Sequence, residues 1–209
     1  MRNYKELILV SGVFSLLTVL MCASLDTADA KNAYCQNNLK ILYTAVTEYQ
    51  AAHNALPPVI VEQKPRWGFW SHYIKPFVKD QKNMVCPEDP RNLHVLEEID
   101  NPLRPKPQLR ADSYGMNYFL TKHFAAKKGK APLLKNLCNP AKTIVFGDCK
   151  GPYMLPERYW KEERAMRHAN DTANFVHADG HIKNFSQFDL GSVGADGKFK
   201  TDFSNWHWL

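Results

Sequence analysis

The stretch AYCQNNLKILYTAVTEYQAAHNALPP (residues 33–58) decides the fold. Leu39, Leu42, Val46 and Tyr49 recur at three- and four-residue steps, one apolar stripe of an amphipathic helix. Asn54 suits a helix end, and Pro57-Pro58 forbid its continuation. Upstream, Arg2 and Lys5 precede an uncharged run, LILVSGVFSLLTVLMCASL (7–25). A helix rises ~1.5 Å per residue, so such a run nearly crosses a ~30 Å hydrocarbon core. Only DTADAKN separates the run from the amphipathic stretch, so one helix can carry both.

Two outcomes remain open for this N-terminus. It is a retained single-pass anchor, or a signal segment removed at the small-x-small step Ala28-Asp29-Ala30. With the cations on the inner flank, both place the remainder outside the cytoplasm. Cys22 lies in the apolar run, where bulky Met21 argues against a lipid-modified cysteine. The expected division is residues 1–30 as anchor or signal, 31–58 as amphipathic stalk helix and 59–209 as a globular head.

Downstream the pattern shortens. RWGFWSHYIKPFV (66–78) reads as an aromatic-rich short helix, and NMVCPEDPRN (83–92) as an apolar step closed by a proline turn. SYGMNYFL (113–120) and KTIVFGD (142–148) read as strands. In RHANDTANFVHADGHIKNF (167–185), two β-rich runs flank Ala178-Asp179-Gly180, and Asp-Gly suits the positive φ of a tight hairpin turn. Strands that follow one another by hairpins imply an antiparallel sheet. The expected fold is α+β: a long N-terminal helix packed on a small antiparallel sheet.

The chain has 209 residues, 44% apolar and 23% charged, which is ordinary for a globular domain. Its formal charge of +6 permits nucleic-acid contact, but the densest basic cluster, AAKKGKAP (125–132), has no aromatics to stack bases. No nucleic-acid partner is expected. Cys35, Cys86, Cys138 and Cys149 allow two disulfides in an exported domain, with the pairing open, and their spacings are too wide for zinc knuckles. GxSxG, P-loop, HExxH and GxGxxG motifs are all missing.

Several segments together resemble the bacterial prepilin-type family, in particular the major pseudopilin of type II secretion. CQNNLKILYTAVTEYQAAHNALPP is similar to its C-x-x-NLK helix, MVCPEDP to its CP-[SE]-DP segment and SYGMN to its strand of the same sequence. His168, Asp179 and Gly180 resemble an H-x(9)-D-G module, with ten residues between His168 and Asp179 instead of nine. FDLGSVGADGKFKTDFSNW (188–206) resembles the pseudopilin's C-terminal loop. The resemblance implies a non-catalytic structural subunit. It would sit in the inner membrane with a periplasmic head and self-assemble with other pseudopilins through the N-terminal helix. The Gly-Phe step cut by the family's peptidase is missing from RNYKELILV.

The resemblance also implies calcium in the C-terminal loop. Asp196 and Asp202 would supply carboxylates, and Val193 and Lys198 main-chain carbonyls. Lys200 stands where the family has a third aspartate, and the loop is shorter than in most relatives. A plain turn at Asp196-Gly197, with Asp202 as a cap, is the competing reading.

Two further functions are weighed against the structural subunit. One is an exported binding domain, for glycans, offering Trp67, Trp70, Trp206 and Trp208 as stacking faces. The other is a metal-dependent hydrolase using His168, His177 and His181 around the hairpin; without a clear third ligand, His168 is expected to make a structural hydrogen bond instead. Asp148 is read as a strand-end turn residue.

Overall fold

A computed structural model describes residues 4–63, 66–91, 113–120, 133–137, 139–154, 165–186, 192–193 and 199–200. Within the first helix it describes side chains from residue 28 onward. The helix, α1, runs without a break from Tyr4 to His53, 50 residues, or ~75 Å at the usual rise. The expected stripe is its buried face: Cys35, Leu39, Leu42 and Val46 are fully buried, Ala45 nearly so, and Tyr49 is half-buried. At ~1.5–3 kcal/mol per large apolar side chain, this stripe is the main attachment of α1 to the rest. Asn54 ends the helix with φ 51°, the left-handed conformation that asparagine tolerates. Among the described residues, no helix is long and apolar enough to cross a membrane; the side chains of the 7–25 run lie outside them.

After the Pro57-Pro58 break come β1 (Ile60–Gln63) and β2 (Arg66–Phe69), an antiparallel pair, then the short helix α2 (Trp70–Ile74). The aromatic segment expected as one helix is therefore half strand. Its extended half pairs with the residues that follow the prolines, in register Ile60↔Phe69 to Gln63↔Arg66.

The main sheet contains β3 (Tyr114–Asn117), β4 (Ile144–Asp148), β5 (Tyr153–Met154), β6 (Thr172–His177) and β7 (Ile182–Ser186). Their spatial order is β5-β3-β4-β6-β7. The sheet is mixed where an antiparallel one was expected. Every neighbouring pair is antiparallel except β3 and β5, because the chain turns after β4 and lays two residues alongside the far edge of β3. Two further short strands, β8 (Ser192–Val193) and β9 (Phe199–Lys200), pair antiparallel with each other.

The fold is thus α+β, with α1 laid across one face of the sheet. The helix stripe, Leu56, Val59, Trp70, Ile74, Tyr114, Met116, Phe146 and Val176 form one core, so the stalk segment and the head share it. Ile144, Cys149, Met154, Ala173, Phe175 and Phe185 form a second cluster.

The β6–β7 hairpin follows the sequence reading. Gly180 holds φ 89° and donates its N–H to the His177 carbonyl at 2.9 Å. Polar residues of α1 fasten the helix to its surroundings. Tyr43 donates to Ala178 O at 2.9 Å, Asn38 to Val85 O at 3.0 Å and Gln36 to Asn174 at 3.3 Å, while Gln50 accepts from Leu134 N at 2.9 Å.

Candidate functional site

Four segments far apart in sequence converge where the core meets the end of β4. The first is α1, which brings Cys35 on its buried face. The second is the turn following Met84, which brings Cys86. In the third, β4, the register shifts between Ile144 and Phe146. Such an irregularity resets the alternation of faces, and Asp148 then meets Cys35 beneath the helix. The fourth is a tight loop in which His168 and Thr172 exchange backbone hydrogen bonds of 3.1 and 3.3 Å. Asn170 and Asp171 make that loop with φ of 58° and 51°, conformations that these two residue types adopt most readily after glycine.

Cys35, Cys86, Asp148 and His168 are all buried, and one ligand-type atom from each lies within 4.8 Å of the other three. Cys35 Sγ is 3.8 Å from Asp148 Oδ1, Cys86 Sγ is 3.8 Å from His168 Nε2, and His168 Nε2 is 3.0 Å from Asp148 Oδ2. A second layer holds these groups in place. His168 Nδ1 meets the Glu88 carboxylate, the Asn174 backbone N–H donates to Asp148 Oδ2 at 2.8 Å, and the Tyr114 hydroxyl donates to Cys35 Sγ at 3.5 Å.

The turn carrying Cys86 is itself tied to the segment carrying His168. Asp89 accepts from Arg167 Nη1 at 2.7 Å and from Ser113 Oγ at 2.8 Å, and Arg91 Nε also donates to it at 2.8 Å. Arg167 Nη2 donates to the Cys149 carbonyl at 3.0 Å. Cys86, Glu88 and Asp89 of CPEDPR therefore each engage the Arg167-His168 pair or its immediate neighbours.

The electrostatics follow from this packing. Burial favours a neutral His168, but the hydrogen bonds to Asp148 and Cys86 outweigh it and raise its pKa to about 10. The imidazolium then bridges two carboxylates. Burial would raise Asp89, yet Arg91 and Arg167 hold it well below the usual carboxylate range. The two thiols split. Cys86 is lowered, chiefly by the hydrogen bond from Cys35, while burial first and that same hydrogen bond second push Cys35 up.

Chemically, a Cys2AspHis cluster can bind a borderline-soft divalent metal, and its two thiols can be oxidised to a disulfide. Both members of the Cys86–His168 pair are buried.

The structure separates the predicted histidines. His168 lies in the cluster: its backbone bridges Thr172 at the start of the hairpin, and its side chain meets Glu88, Asp148 and Cys86. His177 and His181 stack at the hairpin with ring centroids 4.1 Å apart, and His181 Nδ1 is 2.6 Å from Asp179 Oδ1. His177 is buried, and among the described residues neither of its ring nitrogens has a hydrogen-bond partner of normal geometry. Asp179 and Gly180 form the turn. Asp148, expected as a turn residue, is the fully buried last residue of β4. Of the four cysteines, Cys35, Cys86 and Cys149 are not joined to one another by disulfides. Cys149 packs in the second cluster and Cys138 lies outside the described residues.

Trp70 offers no stacking face. It is fully buried, stacked on Phe146 at 5.3 Å between centroids. The side chains of Trp67, Trp206 and Trp208 lie outside the described residues. So do Asp196, Lys198 and Asp202 of the expected calcium loop; Val193 pairs with Phe199, and Lys200 with Ser192, in the β8–β9 ladder.

Residues 28–85 match a family described as a protein of unknown function, DUF1559. Comparisons with curated proteins and with solved structures find no match.

Proposed function

We propose that this chain is a pseudopilin-like structural subunit. It is held in the inner membrane by the first half of α1, carries its head on the periplasmic side, and assembles with other such subunits through that helix. One observation carries the reading. A single helix of 50 residues begins just ahead of the apolar run, passes through it and ends as the apolar stripe buried under the head. A helix continuous through both halves passes any displacement of its membrane-embedded end directly to the sheet. The family match over residues 28–85 covers the head-bound half of that helix and supports the reading, since the family is associated with prepilin-like proteins.

The role is non-catalytic. Among the described residues, the one cluster of potential metal-ligating groups is buried between helix and sheet, where it joins elements. Trp70 contributes to the core and so does not favour the glycan-binding alternative.

The test is the intact mass of the protein recovered from cells, combined with membrane fractionation and crosslinking through cysteines placed along residues 7–25. The expected result is a membrane-bound chain that retains the apolar run and crosslinks into ladders. A soluble protein beginning at Lys31 would overturn the proposal.

A further inference from the structure

We propose that Cys35, Cys86, Asp148 and His168 hold a zinc ion that joins α1 to the sheet. The site does not depend on the chain's assembling into a filament.

Geometry is the first argument. Zn–S bonds of about 2.3 Å and Zn–N or Zn–O bonds of about 2.0–2.2 Å place the ligand atoms of a tetrahedron roughly 3.3–3.8 Å apart. With Asp148 Oδ2 as the carboxylate ligand, the separations are 3.9 Å to Cys35 Sγ and 3.0 Å to His168 Nε2, with 3.8 Å from His168 Nε2 to Cys86 Sγ, and one ligand atom from each residue lies within 4.8 Å of the others. Closing the widest separation from at most 4.8 Å to a tetrahedral edge takes side-chain shifts of up to about 1 Å.

The second argument is the outer layer. A ligating histidine donates its other ring N–H to a carboxylate or carbonyl, which fixes the ring and its tautomer. His168 meets Glu88 through Nδ1 and turns Nε2 to the cluster. Asp148 is likewise oriented by the Asn174 backbone N–H, and Cys35 by the Tyr114 hydroxyl. A Cys35–Cys86 disulfide would account for two of the four groups and leave the aim of His168 and Asp148 unexplained.

The donor set chooses the metal. Two thiolates, an imidazole and a carboxylate suit zinc, whereas calcium and magnesium take oxygen donors. Four protein ligands in a closed, buried setting mark a structural ion with no position left for a substrate. Charge also balances closely. Two thiolates and Asp148 exceed the ion by one negative charge, the Glu88 carboxylate lies on His168, and Arg167 and Arg91 share Asp89 beside the cluster.

The experiment uses the full chain, purified in detergent without chelator or reductant. Elemental analysis should find about one zinc per chain. Cobalt(II) exchanged for zinc should show the visible bands of a tetrahedral site and thiolate charge-transfer absorption. Cys86→Ser and His168→Ala should each abolish stoichiometric zinc. Since either variant can fail to fold, Glu88→Gln supplies a gentler measurement: zinc affinity should fall ~10–100-fold while saturating zinc still gives one ion per chain. A metal-free protein that takes up no added zinc would overturn the proposal. So would a Cys35–Cys86 disulfide found by peptide mapping of the purified protein, or zinc retained unchanged in Cys86→Ser and Glu88→Gln.

Discussion

Arg167 and Asp89 meet in the interior, Nη1 to Oδ2 at 2.7 Å, with the arginine side chain 6% and the aspartate side chain 0% exposed. Breaking such a pair from one side leaves a buried charge without its counter-ion, which costs about 3–5 kcal/mol. Asp89→Ala should therefore lower stability by that order, read as a drop in the urea midpoint. Asp89→Ala combined with Arg167→Met should recover part of the loss, because the stranded cation is gone. A single variant within about 0.5 kcal/mol of the parent would show that the pair is not holding the CPEDPR turn to the Arg167-His168 segment.

The helix-to-hairpin contact gives a second test. Tyr43 donates to Ala178 O at 2.9 Å, and its ring lies against the turn so closely that a Cβ on Gly180 would come within 2.7 Å of Tyr43 Cε1. Tyr43→Phe should cost about 1 kcal/mol, the ordinary net value of one hydrogen bond. Gly180→Ala should cost more, about 1–3 kcal/mol, since φ 89° disfavours any side chain and the ring leaves no room for one. Adding Tyr43→Ala would relieve the contact but not the backbone, so Gly180→Ala in that background should cost less without becoming neutral. Thermal melts of the parent and these four variants decide.

Trp70 and Phe146 are both fully buried and stack. Trp70→Ala removes one of the largest side chains of the shared core and should lower stability by about 3–5 kcal/mol. Binding to a panel of glycans should be unchanged in any Trp70 variant that still folds; selective loss of glycan binding in a stable Trp70→Phe protein would revive a ligand role for this residue.

The sequence made the local elements readable and left the convergence hidden. The 33–58 helix and its buried stripe followed from periodicity, its end from Asn54 and the two prolines, and the β6–β7 hairpin from Asp-Gly. Each signal lies within a few residues. The cluster is another matter. Cys35 and Asp148 are 113 residues apart, and Cys86 and His168 are 82 apart. What brings them together is α1 crossing the sheet, a register shift in β4 and a positive-φ loop at Asn170-Asp171. None of these leaves a spacing pattern, so Asp148 read as a turn residue and His168 as part of the hairpin group. The one local hint was the cysteine in CPEDP, which also carries Glu88 and Asp89. The parallel β5 was equally hidden, since two residues carry too little pattern to mark a strand.

His177 gives a prediction in pH. It is 2% exposed on β6, stacked on His181, with Asp179 and Lys183 nearby and Phe185 against it. Burial is the chief cause, with the charge of His181 next, of a pKa lowered to about 4. The unfolded chain, with a histidine pKa near 6.5, binds the proton more readily than the folded one between these values. The stability contribution is therefore complete above about pH 6.5, declines as pH falls and is gone below about pH 4. It amounts to at most about 3 kcal/mol at 1.36 kcal/mol per pH unit. His177→Leu should flatten this slope, so that urea midpoints at pH 7.5 and pH 4.5 lie closer together in the variant than in the parent. The comparison between variant and parent cancels the acid sensitivity contributed by Asp89 and the other carboxylates. Parallel midpoint curves for the two proteins would mean that His177 is accommodated as a cation, and that the unpartnered nitrogens find acceptors once protonated.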